Sequence, residues 1–237
     1  MNDEGRTAEQ AAEPAPTPSL MQRVIMVFTA PAKLGETLRV QAPWFWTLAI
    51  VAIVGAVAFA ALVPTDLIRH MIEQRARTQE GGPSLDTLVT ITRVLGAIGG
   101  GLIWPFIASA VAAGVLYLMF NLAFGLDVLY KEHLSAMAHI WWINTLGFLV
   151  LIPIWISKGD MQIALGLGLL LPEAPSTFGG HYLNTITIFG VWASVALGLI
   201  ESGMSGGRIK AGKAVGTILV LYLGAAVFRA LLAMRGS

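Results

Sequence analysis

Residues 102–156 read LIWPFIASAVAAGVLYLMFNLAF, then GLDVLYKEH, then LSAMAHIWWINTLGFLVLIPIWI. Two long apolar runs are therefore separated by one short polar connector. A helix of roughly 20 apolar residues spans the ~30 Å hydrocarbon core of a bilayer, and each run is long enough to do so. The stretch predicts a membrane hairpin, and we extend the same reasoning to the rest of the chain.

The composition of the whole chain also indicates a membrane protein. Of its 237 residues, 56% are hydrophobic and only 12% are charged, whereas soluble domains have about half and about a quarter. The formal net charge of +1 argues against a nucleic-acid partner, which requires a concentrated basic face. The absence of cysteine excludes disulfides, thiolate metal sites and a cysteine nucleophile.

Uncharged apolar segments predict an all-α integral membrane bundle of five transmembrane helices with short amphipathic interfacial helices. The predicted spans cover residues 44–63, 95–124, 134–156, 182–200 and 214–234. Pro105 predicts a kink in the second span, while residues 161–171 are too few to cross and indicate a re-entrant or interfacial piece. Residues 1–18 are acidic and proline-rich, which predicts a disordered tail before one membrane domain at 19–237. Residues 32–40 have the amphipathic pattern of a helix at the headgroup level.

Lysine and arginine near the span ends indicate the orientation in the membrane. Arg208, Lys210 and Lys213 form an almost acid-free cluster in the short segment between the fourth and fifth spans. This cluster places that segment, and with it the amino terminus, on the cytoplasmic side. The first apolar run begins only near Pro43 after an acidic start, which predicts a retained anchor and not a cleaved signal peptide.

A few polar side chains interrupt the spans and are the candidate site residues. They are Asn121, His139, Asn144 and Asn184. In lipid such groups need partners inside the protein, so they either bond helix to helix or line the polar path of a small transporter. The four histidines are scattered and no pair has the i, i+4 spacing that would hold a metal, so no metal or other cofactor is predicted.

Small residues one helical turn apart predict close packing between helices. The pairs are Gly96 with Gly100, Gly212 with Gly216, and Ser194 with Gly198.

The segment GMSGG (203–207) matches the nucleophile elbow G-x-S-x-G and the G-x-S-G of rhomboid proteases. An elbow needs a strand, and none is predicted here. A rhomboid needs a base histidine on a later span, whereas His181 is the last histidine and precedes Ser205. We therefore interpret the segment as a flexible glycine turn and predict no enzymatic activity.

Several diffuse patterns, taken in order, carry a family resemblance. They are Phe28–Lys33 (FTAPAK), Pro43-Trp44, Phe124-Gly125 ahead of Lys131-Glu132, Phe189–Trp192 (FGVW) and Arg208–Lys213. From about Leu20 to Met234 the chain resembles the Ypt/Rab-interacting (YIP) domain family, specifically its bacterial branch. The resemblance implies five spans, a cytosolic amino terminus, a bacterial inner-membrane location and no known enzymatic activity. Eukaryotic members bind Rab GTPases, but their Asp-Leu-Tyr-Gly-Pro segment is absent, so no binding residue carries over.

These observations favour a non-enzymatic membrane scaffold that contacts the lipid bilayer and another membrane or cytosolic protein. The alternative is a small transporter or channel that uses the polar residues between the spans. The sequence leaves the identity of any partner or solute and the oligomeric state open.

Overall fold

The computed structural model describes residues 18–75, 82–171 and 177–235. The predicted disordered tail at 1–18 lies outside these ranges except for its last residue. Where the chain is described, it is helical, and its only β-type pairing is an isolated bridge between Gly166 and Thr187. The α-helices of this part are α1 (Leu20–Thr29), α2 (Pro31–Val40), α3 (Phe45–Leu62), α4 (Thr65–Arg75), α5 (Leu85–Leu95), α6 (Trp104–Tyr117), α7 (Tyr130–Lys158), α8 (Phe178–Thr185), α9 (Ile188–Met204) and α10 (Ala211–Arg235).

Four helical stretches are long and apolar enough to cross a membrane, namely α3, Leu85–Ala123, α7 and α10. The predicted all-α membrane bundle is thereby confirmed. The first, third and fifth predicted spans coincide with α3, α7 and α10. The second lies in Leu85–Ala123, a helix that begins well before the predicted start at residue 95.

The region of the fourth predicted span, 182–200, is not one continuous helix. It is divided between α8 and α9, because the chain is extended at Ile186 and Thr187. Thr187 caps α9 by accepting a hydrogen bond from the amide of Gly190 (3.0 Å). Helix α9 is apolar, and at about 1.5 Å per residue its 17 residues extend about 25 Å. A fifth crossing therefore depends on α9 alone and stays a prediction.

A tyrosine of α10 holds the break between α8 and α9. The Tyr222 hydroxyl accepts from the amide of Thr187 (3.0 Å) and donates to the carbonyl of Thr185 (2.9 Å). Gly190 lies so close that an added Cβ would overlap this hydroxyl. The start of α9 is thus completed by a side chain from α10.

The second span contains a π-helical segment, Gly96–Ile103, directly before Pro105. The amide of Trp104 donates to the carbonyl of Gly99, five residues back. Proline cannot donate a backbone hydrogen bond, and a locally widened turn is one way to accommodate this loss. The kink predicted at Pro105 stays a prediction, and the irregularity that the structure shows is the widened turn directly before the proline.

Helix α2 has the predicted amphipathic pattern, and its apolar face packs against α9. Leu34 and Leu38 are fully buried, whereas Lys33 and Glu36 are exposed. A Cβ added at Gly35 would overlap the backbone carbonyl of Ile200. The two helix backbones therefore cross in direct contact, and α2 belongs to the main core shared by α1, α6, α7, α9 and α10.

The opposite end of the bundle is tied by arginines. Arg93 of α5 donates to the carbonyl of Val63 (3.0 Å) and to the hydroxyl of Thr65 (2.9 Å), just beyond the end of α3. Arg69 of α4 pairs with Asp86 of α5 at 2.6 Å. These contacts hold α3, α4 and α5 together at that end.

Candidate functional site

A fully buried histidine–glutamate pair joins α7 to α9. His133 lies in the first turn of α7 and Glu201 in the last turn of α9, so both are at the same end of the bundle. The Nδ1 atom of His133 is 2.9 Å from Oε1 of Glu201, and neither side chain is exposed. The rings of Tyr117 and Phe120 lie 6.3 and 6.2 Å from the imidazole. Because apolar groups surround the pair, removing one member would leave the other buried without a polar partner, which is strongly destabilising.

Each member of the pair also has one atom without a partner. His133 Nε2 and Glu201 Oε2 are buried and make no hydrogen bond to any part of the chain that the structure describes. A buried polar atom without a hydrogen-bond partner is unfavourable, so both atoms call for a functional explanation. Ionisable groups that are fully buried inside a membrane protein are candidate functional groups.

Four charged side chains form an ion network beside the His133–Glu201 pair. They are Arg39, Asp127, Glu132 and Arg208. We call the end of the bundle that carries this network the polar end. Arg39 of α2 donates to Glu132 (2.9 Å) and to Asp127 (3.0 Å). Arg208, which follows α9, also donates to Asp127. Glu132 accepts in addition from the amide of Leu129 (2.8 Å) at the start of α7. The network therefore fastens α2, the 125–129 connector, α7 and the segment after α9 to one another.

The connector is shaped to present Asp127 to both arginines. Gly125 has a left-handed backbone (φ 67°), which glycine adopts without strain. The Asn121 side chain donates to the carbonyl of Val128 (2.6 Å) and accepts from its amide (3.3 Å). The hydrogen bond from Arg208 lowers the pKa of the Asp127 carboxyl below its usual value, and the charge of Arg39 adds to this effect. Asp127 is therefore a carboxylate at neutral pH.

The turn after α9 is built around Ser205, whose hydroxyl bonds to its own loop. It donates to the carbonyl of Ser202 (2.7 Å) and accepts from the amide of Ile209 (3.0 Å). Gly206 and Gly207 have positive φ values of 61° and 84°, as a glycine turn requires. These contacts fix the direction in which Arg208 leaves the bundle.

A concave surface lies at the polar end. It encloses about 420 Å³ and is lined by charged and polar side chains from α2 and the turn, including Glu36, Arg39, Ser205 and Arg208. A concavity with convergent polar groups is a common form of binding surface.

The polar residues predicted from the sequence lie in separate settings. Asn121 holds the connector. His139 is fully buried in α7, where its Nδ1 donates to the carbonyl of Ser135 (2.7 Å) and its Nε2 has no partner among the described residues. Asn144 lines a second cavity of about 320 Å³ between α3, the π-helical segment and α7. Asn184 lies in α8, where its backbone carbonyl is in close contact with Gly166.

Only some glycines of the predicted small-residue pairs lie in close helix contacts. An added Cβ would overlap the Phe59 ring at Gly96 and the backbone of Val215 at Gly198, so both glycines mark close contacts. At Gly100, Gly212 and Gly216 an added Cβ would meet nothing within 4 Å.

No family model, curated protein or solved structure matches the chain. The candidate site therefore rests on its geometry.

Local sequence patterns do not indicate the His133–Glu201 pair or the polar end. Glu201 directly follows the fourth predicted span, and His133 is one of four scattered histidines. The local signal that existed was the density of charge in the connector, at Asp127, Lys131 and Glu132. The partners of these groups come from distant segments.

Proposed function

We propose that this protein is a non-enzymatic integral membrane scaffold of the YIP type that binds a protein partner at its polar end. The observation that carries the proposal is the ion network of Arg39, Asp127, Glu132 and Arg208. It joins segments up to 93 residues apart into one surface. A surface that is already ordered before binding reduces the entropic cost of forming the complex. In the proposed orientation this end lies on the cytoplasmic side of a bacterial inner membrane.

Exposed cations surround the network and suggest the chemistry of the partner. Lys33, Lys131, Lys210 and Lys213 are all exposed at this end, beside the half-exposed Arg208. Asp127 and Glu36 provide the nearby negative charge, so the surface is mixed but predominantly basic. An acidic patch on a cytosolic or membrane protein would match it, because complementary charge speeds encounter and disfavours wrong partners.

The test is photocrosslinking in cells at an exposed position of the surface. A photoreactive amino acid in place of Lys33 should capture a discrete protein in the wild-type background. Asp127→Asn removes the common acceptor of Arg39 and Arg208 and should strongly reduce that capture. The crosslinked protein is then identified by mass spectrometry.

Asp86→Asn is the matched control, because Asp86 is also an exposed aspartate paired with an arginine but lies at the opposite end. It should leave the capture unchanged. Capture of lipid alone, or equal capture by the Asp127→Asn and wild-type proteins, would contradict the scaffold proposal.

The buried His133–Glu201 pair favours a second candidate, a small transporter that moves a solute together with a proton. Such a transporter would pass the proton through this pair, whose members are 2.9 Å apart and each have one buried atom without a partner among the described residues. Reconstitution into vesicles with an internal pH-sensitive dye tests this alternative. Solute-dependent proton uptake by the wild type that disappears in Glu201→Gln would support transport over scaffolding.

A further inference from the structure

The second cavity lies in the part of the bundle that faces lipid. It encloses about 320 Å³ between α3, the π-helical segment Gly96–Ile103 and α7. Its lining is apolar apart from two side chains, Asn144 and Thr145. Gly100 at its edge is exposed. Since these are central parts of membrane-crossing helices, the medium outside the cavity is hydrocarbon.

Glycines create the space. Gly101 brings the π-helical segment against the backbone of Ala56, where an added Cβ would lie 2.5 Å from Ala56 Cα. Gly100 is next to this contact, and a Cβ there would meet nothing within 4 Å. The π-helical segment and the absence of a side chain at Gly100 thus leave the cavity open beside the close contact between Gly101 and Ala56 of α3.

Aromatic rings form firm walls for the recess. The Trp141 indole is fixed because its Nε1 donates to the hydroxyl of Ser109 (2.8 Å). Phe59 and Phe148 stack with their ring centres 6.5 Å apart. All three rings line the cavity. Flat apolar walls of this type suit a hydrocarbon chain or a planar ring.

The two polar side chains of the lining have no partner in the protein as far as the chain is described. Asn144 and Thr145 make no hydrogen bond there, although Asn144 lies at the middle of α7. An unpaired amide in hydrocarbon is unfavourable, and water is scarce at this depth. A bound molecule with a hydrogen-bonding oxygen would satisfy the amide.

We propose that this cavity binds one uncharged lipid whose polar group is a carbonyl or hydroxyl oxygen, hydrogen-bonded to Asn144. A charged or zwitterionic headgroup does not fit the site, because moving it to the middle of the bilayer is costly. A quinone ring or a long-chain alcohol carries only the weakly polar oxygen that Asn144 and Thr145 can bind. The volume lies within the range of small-molecule pockets. This proposal is independent of the polar end and of the partner proposed there.

The test uses three photoreactive probes with the purified full chain in vesicles. They are an azido-quinone, a diazirine-bearing long-chain alcohol, and a phosphatidylcholine with a diazirine in its acyl chain. One of the two neutral probes should label α3 or α7 at the cavity, and the matching unlabelled lipid should compete. The phosphatidylcholine probe should label the same residues only weakly and without saturation. The two neutral probes distinguish a ring-bearing ligand from a simple chain.

Two variants and one control connect the labelling to the cavity. Gly100→Leu places a side chain in the open space and should abolish saturable labelling. Asn144→Leu removes the proposed hydrogen bond to the lipid and should raise the probe concentration needed for half-saturation by about three- to tenfold. Gly114→Leu is the control, because an added Cβ at Gly114 also meets nothing within 4 Å and Gly114 does not line the cavity. It should label as the wild type does.

Saturable labelling of the wild type that is lost in Gly100→Leu and kept in Gly114→Leu would establish the site. Equal labelling of Gly100→Leu and wild type would overturn the proposal. Labelling by the phosphatidylcholine probe as strong as that by the neutral probes would also overturn it, because the recess would then hold ordinary bilayer chains.

Discussion

Breaking the buried His133–Glu201 pair should destabilise the protein far more than breaking an exposed pair. In Glu201→Leu the imidazole keeps its buried position and loses the one hydrogen bond that its side chain makes within the described part of the chain. In His133→Leu the Glu201 carboxyl group likewise stays buried and loses its hydrogen bond to the imidazole. Removing one member of a buried pair typically costs about 3–5 kcal/mol. For a chain of this size that corresponds to a fall in Tm of about 6–20 °C.

The double variant His133→Leu with Glu201→Leu should recover much of this loss. Neither unpaired group remains, and two apolar side chains of suitable size meet in a pocket beside Phe120. Replacing both members of a buried pair is often close to neutral. The coupling energy between the two substitutions should therefore be about 2 kcal/mol or more in magnitude.

Tryptophan fluorescence during thermal unfolding in detergent measures these shifts, since the chain has seven tryptophans. Arg69→Leu and Asp86→Leu provide the comparison, because Asp86 is 82% exposed and such pairs contribute about 0–1 kcal/mol. A double variant whose loss equals the sum of the two single losses would refute the reasoning. Single losses no larger than those of the exposed pair would refute it as well.

Three further predictions follow from the close contacts, the polar end and the orientation. Gly35→Val should prevent folding, because its Cβ overlaps the α9 backbone, while Gly212→Val, in open space, should leave expression and Tm nearly unchanged. Asp127 has a lowered pKa, so its contribution to stability is present above the unfolded value near 3.8 and lost as pH falls through the lower folded value. In the wild type, the backbone amides of Arg208–Lys213 should lose protection from hydrogen exchange only below the unfolded pKa near 3.8, where Asp127 becomes protonated. In Asp127→Asn the same amides should lose protection already at neutral pH. A cytosol-specific reporter inserted in Arg208–Lys213 should be active, and one fused after Ser237 should be silent; an active carboxy-terminal fusion would contradict the proposed topology.

The helical spans were predictable because they depend on a local property of the sequence. An apolar run as long as residues 134–156 of α7 has few alternatives to crossing a bilayer, so this helix is predictable from its own residues. The division between α8 and α9 was not predictable in this way. It depends on Tyr222, which lies 35 residues beyond Thr187 and reads as an ordinary member of an apolar helix. The π-helical segment was not predictable, since Pro105 indicated a kink and not a change in the hydrogen-bonding pattern before it.

The candidate site was less accessible from the sequence because its members meet only after the helices pack. His133 and Glu201 are 68 residues apart, and Arg39 and Glu132 are 93 apart. No local spacing relates such residues. Asn144 was predicted as a polar residue of a span, but the cavity beside it depends on glycines of another helix. Spacing identified Gly96 and Gly198 as contact residues and also selected Gly212 and Gly216, which have open space.

The position of Tyr222 also bears on the order in which the protein is assembled. The hydroxyl that completes the start of α9 belongs to α10, which is synthesised after α9. Until residue 222 has emerged from the ribosome, the amide of Thr187 and the carbonyl of Thr185 lack this partner. Helix α9 therefore reaches its final structure only after much of α10 has been synthesised. A chain that ends before Tyr222 loses the ordered start of α9 together with α10.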